Sequence, residues 1–399
     1  MTDQTPVRPH PLTMENAFAR HTMTERIPGI LRDVIEANPD YPPVIRQQIE
    51  RLRAALLDGA PVPMLDDVPV PPPDYDEWAD AYYAHARVFQ PLTWQHGAWF
   101  FVETFLYRHL IQAVRWHETG RDPFAPIKQA ELESDRLWDA FDQVLEGEEG
   151  NPDRLSHLLL SALWGNRADL SHVAGDLVEE SATDDDLLVD DRGAVLDHLA
   201  SPGDRVHQPV HLVIDNAGLE LAVDLALADA FLEQGTPVVV HVKAYPVFVS
   251  DTTIPDVWQT IRAMEGCGGR PAALAQRLRE AWQAGRLRLA APVLWTSSRF
   301  LWEMPDSLRR SLAQARLVVV KGDVNYRRVV GDAIWDTGVS FAGALSYFPA
   351  PLLALRSIKS DALVGVPAER IRAADQDDPA WRTTGRYGVI QFAGPGRPR

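Results

Sequence analysis

The sequence predicts an α/β protein: a largely parallel sheet covered on both faces, preceded by a region of helices. Three observations carry this. From about residue 205 on, short apolar runs alternate with helical patterns, the signature of a parallel sheet. Over residues 1–150 the apolar residues recur at helix spacing only. The best apolar runs end in polar clusters (DNAG, SDTT, KGDVN), and such sheets bind ligands beyond the carboxyl ends of their strands.

Element by element, helices are expected near 25–57, 75–89, 92–117 and 125–148, broken by Pro-rich connectors. Gly59–Tyr75 (GAPVPMLDDVPVPPPDY) is a stiff, extended connector. Trp94–Ile111 is apolar almost all round, which implies a buried helix. Glu103 inside it must either pair with a nearby cation or turn towards a site. The acidic stretch Gly175–His198 reads as a solvated loop and short helix. Val210–Ile214 is a strand ending in Asp215-Asn216-Ala217-Gly218, followed by a helix over Leu219–Gln234 closed by Gly235. Pro237–Val242 is a β-branched strand leading to Lys243. Helices near 255–264 and 271–284 precede a strand candidate in Leu287–Trp295. Arg316–Val320 is a buried strand running into Lys321-Gly322-Asp323, and Tyr387–Phe392 is a late strand closing an edge. The chain thus divides into a helical region, 1–150, packing on an α/β core, 151–399.

Composition narrows the function. A formal net charge of −17 argues against a nucleic-acid partner and against anionic membranes. One cysteine, Cys267, excludes an intramolecular disulfide and any multi-Cys zinc site. The N-terminus has no apolar h-region and no run reaches the roughly 20 apolar residues of a membrane span, so a soluble, cytoplasmic protein is expected. Four lysines stand against thirty-five arginines. Where Arg serves everywhere else, a surviving Lys marks a place that needs a compact ammonium. Lys243, Lys321 and Lys359 fall in or beside the polar clusters; Lys128 lies elsewhere.

Asp215, Asn216 and Asp251 are hard oxygen donors suited to Mg²⁺ or Mn²⁺. Singly, Asp215 and Asp251 would serve as N-caps; together with Asn216 the metal reading is preferred. His211 and His241 lie inside strands and read as core residues. The helix after Gly218 offers an N-terminal anion seat. Glu220, with Asp224 one turn on, either orients a metal ligand or simply suits the first helical turn. Lys321, Gly322 and Asn325 form a phosphate cradle of non-Walker type. Arg356 and Lys359 add cations, although RSIK alone would read as a solvated basic turn. A divalent cation with these cations is what a phosphate ester needs.

These segments resemble a known family. LWGNRADLS (Leu163–Ser171), DNAGLELAVDL (Asp215–Leu225), FVSDTT (Phe248–Thr253), KGDVNYRR (Lys321–Arg328), LRSIK (Leu355–Lys359) and WFFVETFLYRHL (Trp99–Leu110) are similar to segments of the metal-dependent damage-control phosphatases, sugar-phosphate subfamily. That group is also described as acidic-residue or protein-glutamate O-methyltransferases. The resemblance covers about 90–370. It implies a Rossmann-like three-layer α/β/α core and a Mn²⁺-, Co²⁺- or Ni²⁺-supported phosphatase of hexose phosphates such as fructose 1-phosphate and fructose 6-phosphate. It puts Asp215, Asn216 and Asp251 on the metal ligands. The substrate segment KGDxN falls on Lys321, Gly322, Asp323, Val324 and Asn325, and the RTxK motif on Arg356 to Lys359, with Ser357 in place of its threonine. Glu103 and Arg167 are further substrate-contact candidates or members of structural ion pairs, and Asp323 is the candidate proton donor. The expected partner is a small phosphorylated metabolite; the sequence leaves the oligomeric state open. An S-adenosylmethionine-dependent methyltransferase is the alternative, and a non-catalytic sugar-phosphate sensor a third reading.

Overall fold

A computed structural model of the chain describes residues 7–65, 71–147, 153–170, 186–201 and 207–394, with residues 166–170 by backbone only. The helical region holds α1 (Ala17–His21), a π-helical turn (Thr22–Arg26), α2 (Ile27–Ala37), α3 (Pro43–Leu57), α4 (Tyr75–Val88), α5 (Trp99–Ala113), α6 (Trp116–Thr119), α7 (Ala125–Leu132) and α8 (Asp135–Glu146). After α9 (Arg154–Leu170) come β1 (Leu187–Asp190), α10 (Arg192–Ala200), β2 (Val210–Val213), α11 (Leu219–Glu233) and β3 (Val238–His241). Then follow α12 (Ile254–Cys267), α13 (Gly269–Gln283), β4 (Leu287–Ala290), α14 (Asp306–Ala313), β5 (Leu317–Lys321) and α15 (Asp323–Val330). The chain closes with α16 (Phe341–Ala344), β6 (Leu352–Ser357), α17 (Ala368–Asp377), α18 (Trp381–Thr384) and β7 (Gly388–Ala393).

The sheet order is β1-β7-β6-β5-β2-β3-β4, and its five central and right-hand strands, β6 to β4, are mutually parallel. Side chains alternate along each strand. Leu317 and Val319 enter one core with α9, α11 and α13, while Val318 and Val320 enter the opposite core with α14 to α16. Burial on both faces explains the unbroken apolar runs. Helix α11 is buried along its whole length, so it carries no polar stripe.

Three expectations are corrected. Tyr387–Phe392 is not an edge: β7 pairs antiparallel with β6 and parallel with β1, which closes the sheet. Leu187–Asp190, within the acidic stretch, is that edge strand; its short LLV run between aspartates masks it, and residues 175–185 lie outside the described residues. Leu352–Ser357 is a buried strand where none was expected, and it carries the start of RSIK, which alone would read as a solvated turn. The strand expected within Leu287–Trp295 is there, over Leu287–Ala290, and Pro292 then starts a 3₁₀ turn.

A third core belongs to the helical region and takes in Tyr245 and Val247 from the loop after β3. Trp78 donates to Tyr245 Oη at 3.1 Å, and Arg108 is bound to Asp74 at 2.8 Å beneath it. Helix α8, by contrast, puts Leu137, Phe141 and Leu145 into the sheet-face core. The helices therefore reach over the carboxyl edge of the sheet. Trp99 begins α5, so residues 92–98 of the long predicted helix are turns instead.

Candidate active site

The chain order reverses between β2 and β5: β3 and β4 build out on one side of β2, β5 and β6 on the other. Val213 pairs with both His241 and Val320, and Lys321 with Leu355. Asp215, Lys243, Lys321 and Arg356 therefore emerge at one level beside the switch point.

The loop after β3 returns to this edge. Thr252 N–H donates to the Asp215 carbonyl at 2.8 Å, Ala217 N–H to Ser250 at 2.7 Å and Lys243 N–H to Thr252 at 2.8 Å. Asn216 and Asp251 pair as an antiparallel bridge. The three proposed metal ligands are thus brought together by backbone bonds. Neither aspartate is a helix cap. Thr253 caps α12 in a capping box with Asp256, and the first free N–H of α11, at Leu219, donates to Glu131 Oε1 at 3.0 Å.

Asp215 is buried and its Oδ1 has no hydrogen-bond partner among the described residues. Burial pushes its carboxyl well above the ordinary range, reinforced by the charges of Asp251 and Glu220 and opposed by Lys243 and Lys321. Burial also raises Asp251, against Lys243, whose Nζ lies 3.1 Å from its Oδ2. Asn216 is fixed in orientation: its amide donates to Glu220 at 2.9 Å and to Asp215 at 3.2 Å, and its Oδ1 accepts from Ser250 Oγ at 2.7 Å. Among the described residues no group of three His, Cys, Asp or Glu donors is poised for a metal. The donor set is two carboxylates and one amide oxygen, and the orphaned buried oxygen of Asp215 fits a hard divalent cation.

The lysines divide by role. Lys321 donates to Glu220 at 3.0 Å and to Asp224 at 2.8 Å, and these anions hold its pKa up against the cost of burial. It neutralises carboxylates behind the ligands and is not an open phosphate cradle, contrary to expectation. Lys243 links Asp251 to Asn325 Oδ1, 2.9 Å away. Asn325 also donates to the Ile214 and Lys321 carbonyls at 3.2 and 2.9 Å, so its amide ties β2 to β5 and is spent. Arg356 is likewise consumed: it binds Asp323 at 2.7 Å and the carbonyls of Ser360 and Ala362, with Tyr326 beneath it. Lys359 differs. Its backbone N–H donates to Asp323 at 3.1 Å, while its half-buried ammonium has no hydrogen-bond or ion-pair partner among the described residues. Burial lowers its pKa, whereas Glu220, Asp215 and Asp323, which it faces, pull the other way.

Asp323 is corrected as a proton donor. Against the cost of burial, Arg356 and Arg327 hold its carboxyl below the ordinary range, so it stays ionised near neutrality. Val324 is half-buried beside it in the first turn of α15. Glu103 takes the ion-pair reading: it meets Arg327 at 2.8 Å, and Asp332 takes the other side of that guanidinium at 2.7 Å. Arg167 lies on α9, its side chain outside the described residues. The expected anion seat at α11 is filled by Glu131. Gly322 is where the site is tightest: at φ +84° it lets the Asp215 carboxylate into space a Cβ would occupy. His211 and His241 are core residues as expected. They share a proton at 2.8 Å, and burial lowers them to about 4 and about 3.

Sequence reasoning did not place Ser250, Glu131 or Lys128 here. Lys128, set aside as remote, bonds the Asp251 carbonyl at 2.9 Å. Its one signal was being a lysine in an arginine-rich chain.

Paired carboxylates and an amide at the switch point of a largely parallel sheet, with lysines around them, fit a phosphomonoester hydrolase. The sequence pattern of the damage-control phosphatase ARMT1-like domain matches residues 22–373, and the chain belongs to that family. Relatives named Damage-control phosphatase ARMT1 are 30% identical in Danio rerio over 96% of both chains, and 30% in Mus musculus over 96% of this chain and 97% of that one. The Homo sapiens relative is 29% identical over 76% of each. A crystal structure of a DUF89 family protein from Pyrococcus horikoshii aligns with 96% of this chain and 99% of that one, at a TM-score of 0.48 and 11% identity.

Proposed function

We propose that the protein is a divalent-metal-dependent phosphatase of small phosphorylated metabolites, with fructose 1-phosphate and fructose 6-phosphate as the first substrates to test. The observation that carries this is the orphaned Asp215 Oδ1 together with a Lys359 ammonium that feels the charges of Asp215, Glu220 and Asp323 and has no hydrogen-bond or ion-pair partner among the described residues. Asp215, Asn216 and Asp251 would hold the metal, Mn²⁺ before Co²⁺, Ni²⁺ or Mg²⁺. When bound it would polarise a phosphoryl oxygen and acidify water.

The chain's own residues do the rest. Lys359 offers an uncommitted cation to the phosphoryl oxygens, where charge is spread in the transition state. Lys243 pairs with Asp251 and aims it, and Lys321 holds Glu220, which orients Asn216. Asp323 fixes the Lys359 backbone. Water adds across the P–O bond, giving phosphate and the free alcohol. Among the described residues no helix is long and apolar enough to cross a membrane. The exposed Cys267 thiol suits a reducing, cytoplasmic setting.

The methyltransferase alternative loses support at Gly218. The turn where a glycine-rich loop would receive a nucleoside is filled by Glu131. The deciding experiment is a sugar-phosphate screen with Mn²⁺, Co²⁺, Ni²⁺ and Mg²⁺ and an EDTA control. Turnover lost in EDTA and in folded Asp215→Ala and Asp251→Ala is expected. Full activity in both variants would sink the metal assignment; methyl incorporation persisting in EDTA would favour the alternative.

A further inference from the structure

Helix α7 belongs to the helical region, yet one face of it touches both loops that carry the proposed metal ligands. Lys128 and Glu131 are three residues apart and so share that face. Lys128 is buried and spends all three ammonium protons: on the Asp251 carbonyl at 2.9 Å, on Asp256 Oδ2 at 2.9 Å and on Asp122 Oδ2 at 3.0 Å. Asp256 in turn accepts from Thr253 N–H at 2.8 Å and Thr253 Oγ1 at 2.6 Å, which fixes the start of α12. Glu131 accepts from Leu219 N–H at 3.0 Å, on the turn that follows Asp215 and Asn216. The second loop is shaped for this contact. Gly218 sits at φ +74°, and a Cβ there would fall 1.8 Å from Glu131 Oε1.

We propose that α7 is a two-point clamp on the metal site, with Lys128 and Glu131 as positioning residues that set the Asp251 loop and the Asp215–Gly218 turn at their working separation. The inference rests on the metal-dependent reading of the site. It gives the helical region a part in catalysis that none of the ligands themselves supplies: Tyr245 and Val247 already seat the loop after β3 in the helical core, and α7 adds bonds next to the ligands, to the Asp251 carbonyl and to the turn after Asn216. It also explains the fourth lysine. Three acceptors arranged around one nitrogen suit a tetrahedral ammonium, and a planar guanidinium fork does not fit them.

The test is Mn²⁺ binding to the metal-stripped full-length protein, by calorimetry and by the Mn²⁺-induced rise in Tm, for Lys128→Met, Lys128→Arg, Glu131→Leu and Glu131→Gln. Loss of an outer partner that orients ligands weakens metal binding about 10- to 100-fold. Lys128→Met, Lys128→Arg and Glu131→Leu are expected to fall in that range. Glu131→Gln keeps an oxygen acceptor for Leu219 and should stay within about twofold of the parent. Should Lys128→Met fail to fold, the Glu131 pair decides, since it leaves the buried Lys128 cluster intact. Parental Mn²⁺ affinity in folded Glu131→Leu, or equal losses in Glu131→Leu and Glu131→Gln, overturns the clamp. A parent protein that takes up no Mn²⁺ overturns the underlying functional reading instead.

Discussion

Replacing Gly322 with alanine probes the site where β5 passes β2. A Cβ at this position would lie 1.9 Å from Asp215 Oδ2, 2.2 Å from Cγ and 2.8 Å from Cβ. Ordinary contact needs about 3.5 Å, so the carboxylate must retreat by roughly 1.5 Å. The backbone at φ +84° adds about 1–2 kcal/mol of strain for any residue with a Cβ. Moving Asp215 also sacrifices the hydrogen bond from Asn216, about 1 kcal/mol. The variant should therefore lose about 2–3 kcal/mol in urea unfolding and remain folded. Catalysis should suffer more, because a 1 Å misplacement costs about 100-fold, so kcat/KM with Mn²⁺ should drop at least about 100-fold. In an Asp215→Ala background the clash with Oδ2 and Cγ disappears, and the same substitution should cost about 1–2 kcal/mol, mainly backbone strain. Gly322→Ala with parental kcat/KM, or with equal stability costs in both backgrounds, would refute the placement of Asp215.

Three further outcomes are expected. Lys359→Met should lower kcat/KM about 100-fold with little change in Tm, because its ammonium bonds nothing among the described residues, whereas Arg356→Met should cost about 3–5 kcal/mol by stranding Asp323. Asn325→Leu should show mainly as lost stability in urea unfolding, about 1 kcal/mol for each of its three bonds; a pure rise in KM would restore it to the substrate cradle. The third concerns pH. Asp224 is raised to about 7, chiefly by burial, so the folded metal-free protein holds a proton that the unfolded chain releases near 3.8. Stability must then fall as pH rises from about 4 to about 7, and Asp224→Asn should flatten that slope in thermal melts. Asp215 is raised in the same sense, so Mn²⁺ affinity should weaken as pH falls, seen by calorimetry at stepped pH.

The helices and most strands were legible because burial on two faces leaves unbroken apolar runs and helix caps leave Gly and Pro in place. Val210–Val213, Val238–His241 and Leu317–Lys321 fall where the apolar runs predict. Leu187–Asp190 was not legible, since an edge strand needs few apolar residues and three of its immediate neighbours in sequence are acidic. Leu352–Ser357 was hidden by its own cations: Arg356 at a strand end reads as solvated until Asp323 and two carbonyls are found around it.

For the site, the sequence by itself determined the ligand types and their position at strand ends, because hard oxygen donors following apolar runs have a one-dimensional signature. It also determined that the lysines matter, through their scarcity. Only the tertiary structure decided what each does. Charge pairing depends on distances between residues as far apart in sequence as Lys321 and Glu220, or Arg327 and Glu103. Those contacts commit Lys321, Asn325 and Arg356 internally, keep Asp323 ionised, leave the Lys359 ammonium without a partner among the described residues, and bring Lys128 from a remote helix to the back of Asp251. Which groups remain for a substrate is set by what the fold has already bonded, and no local pattern records that.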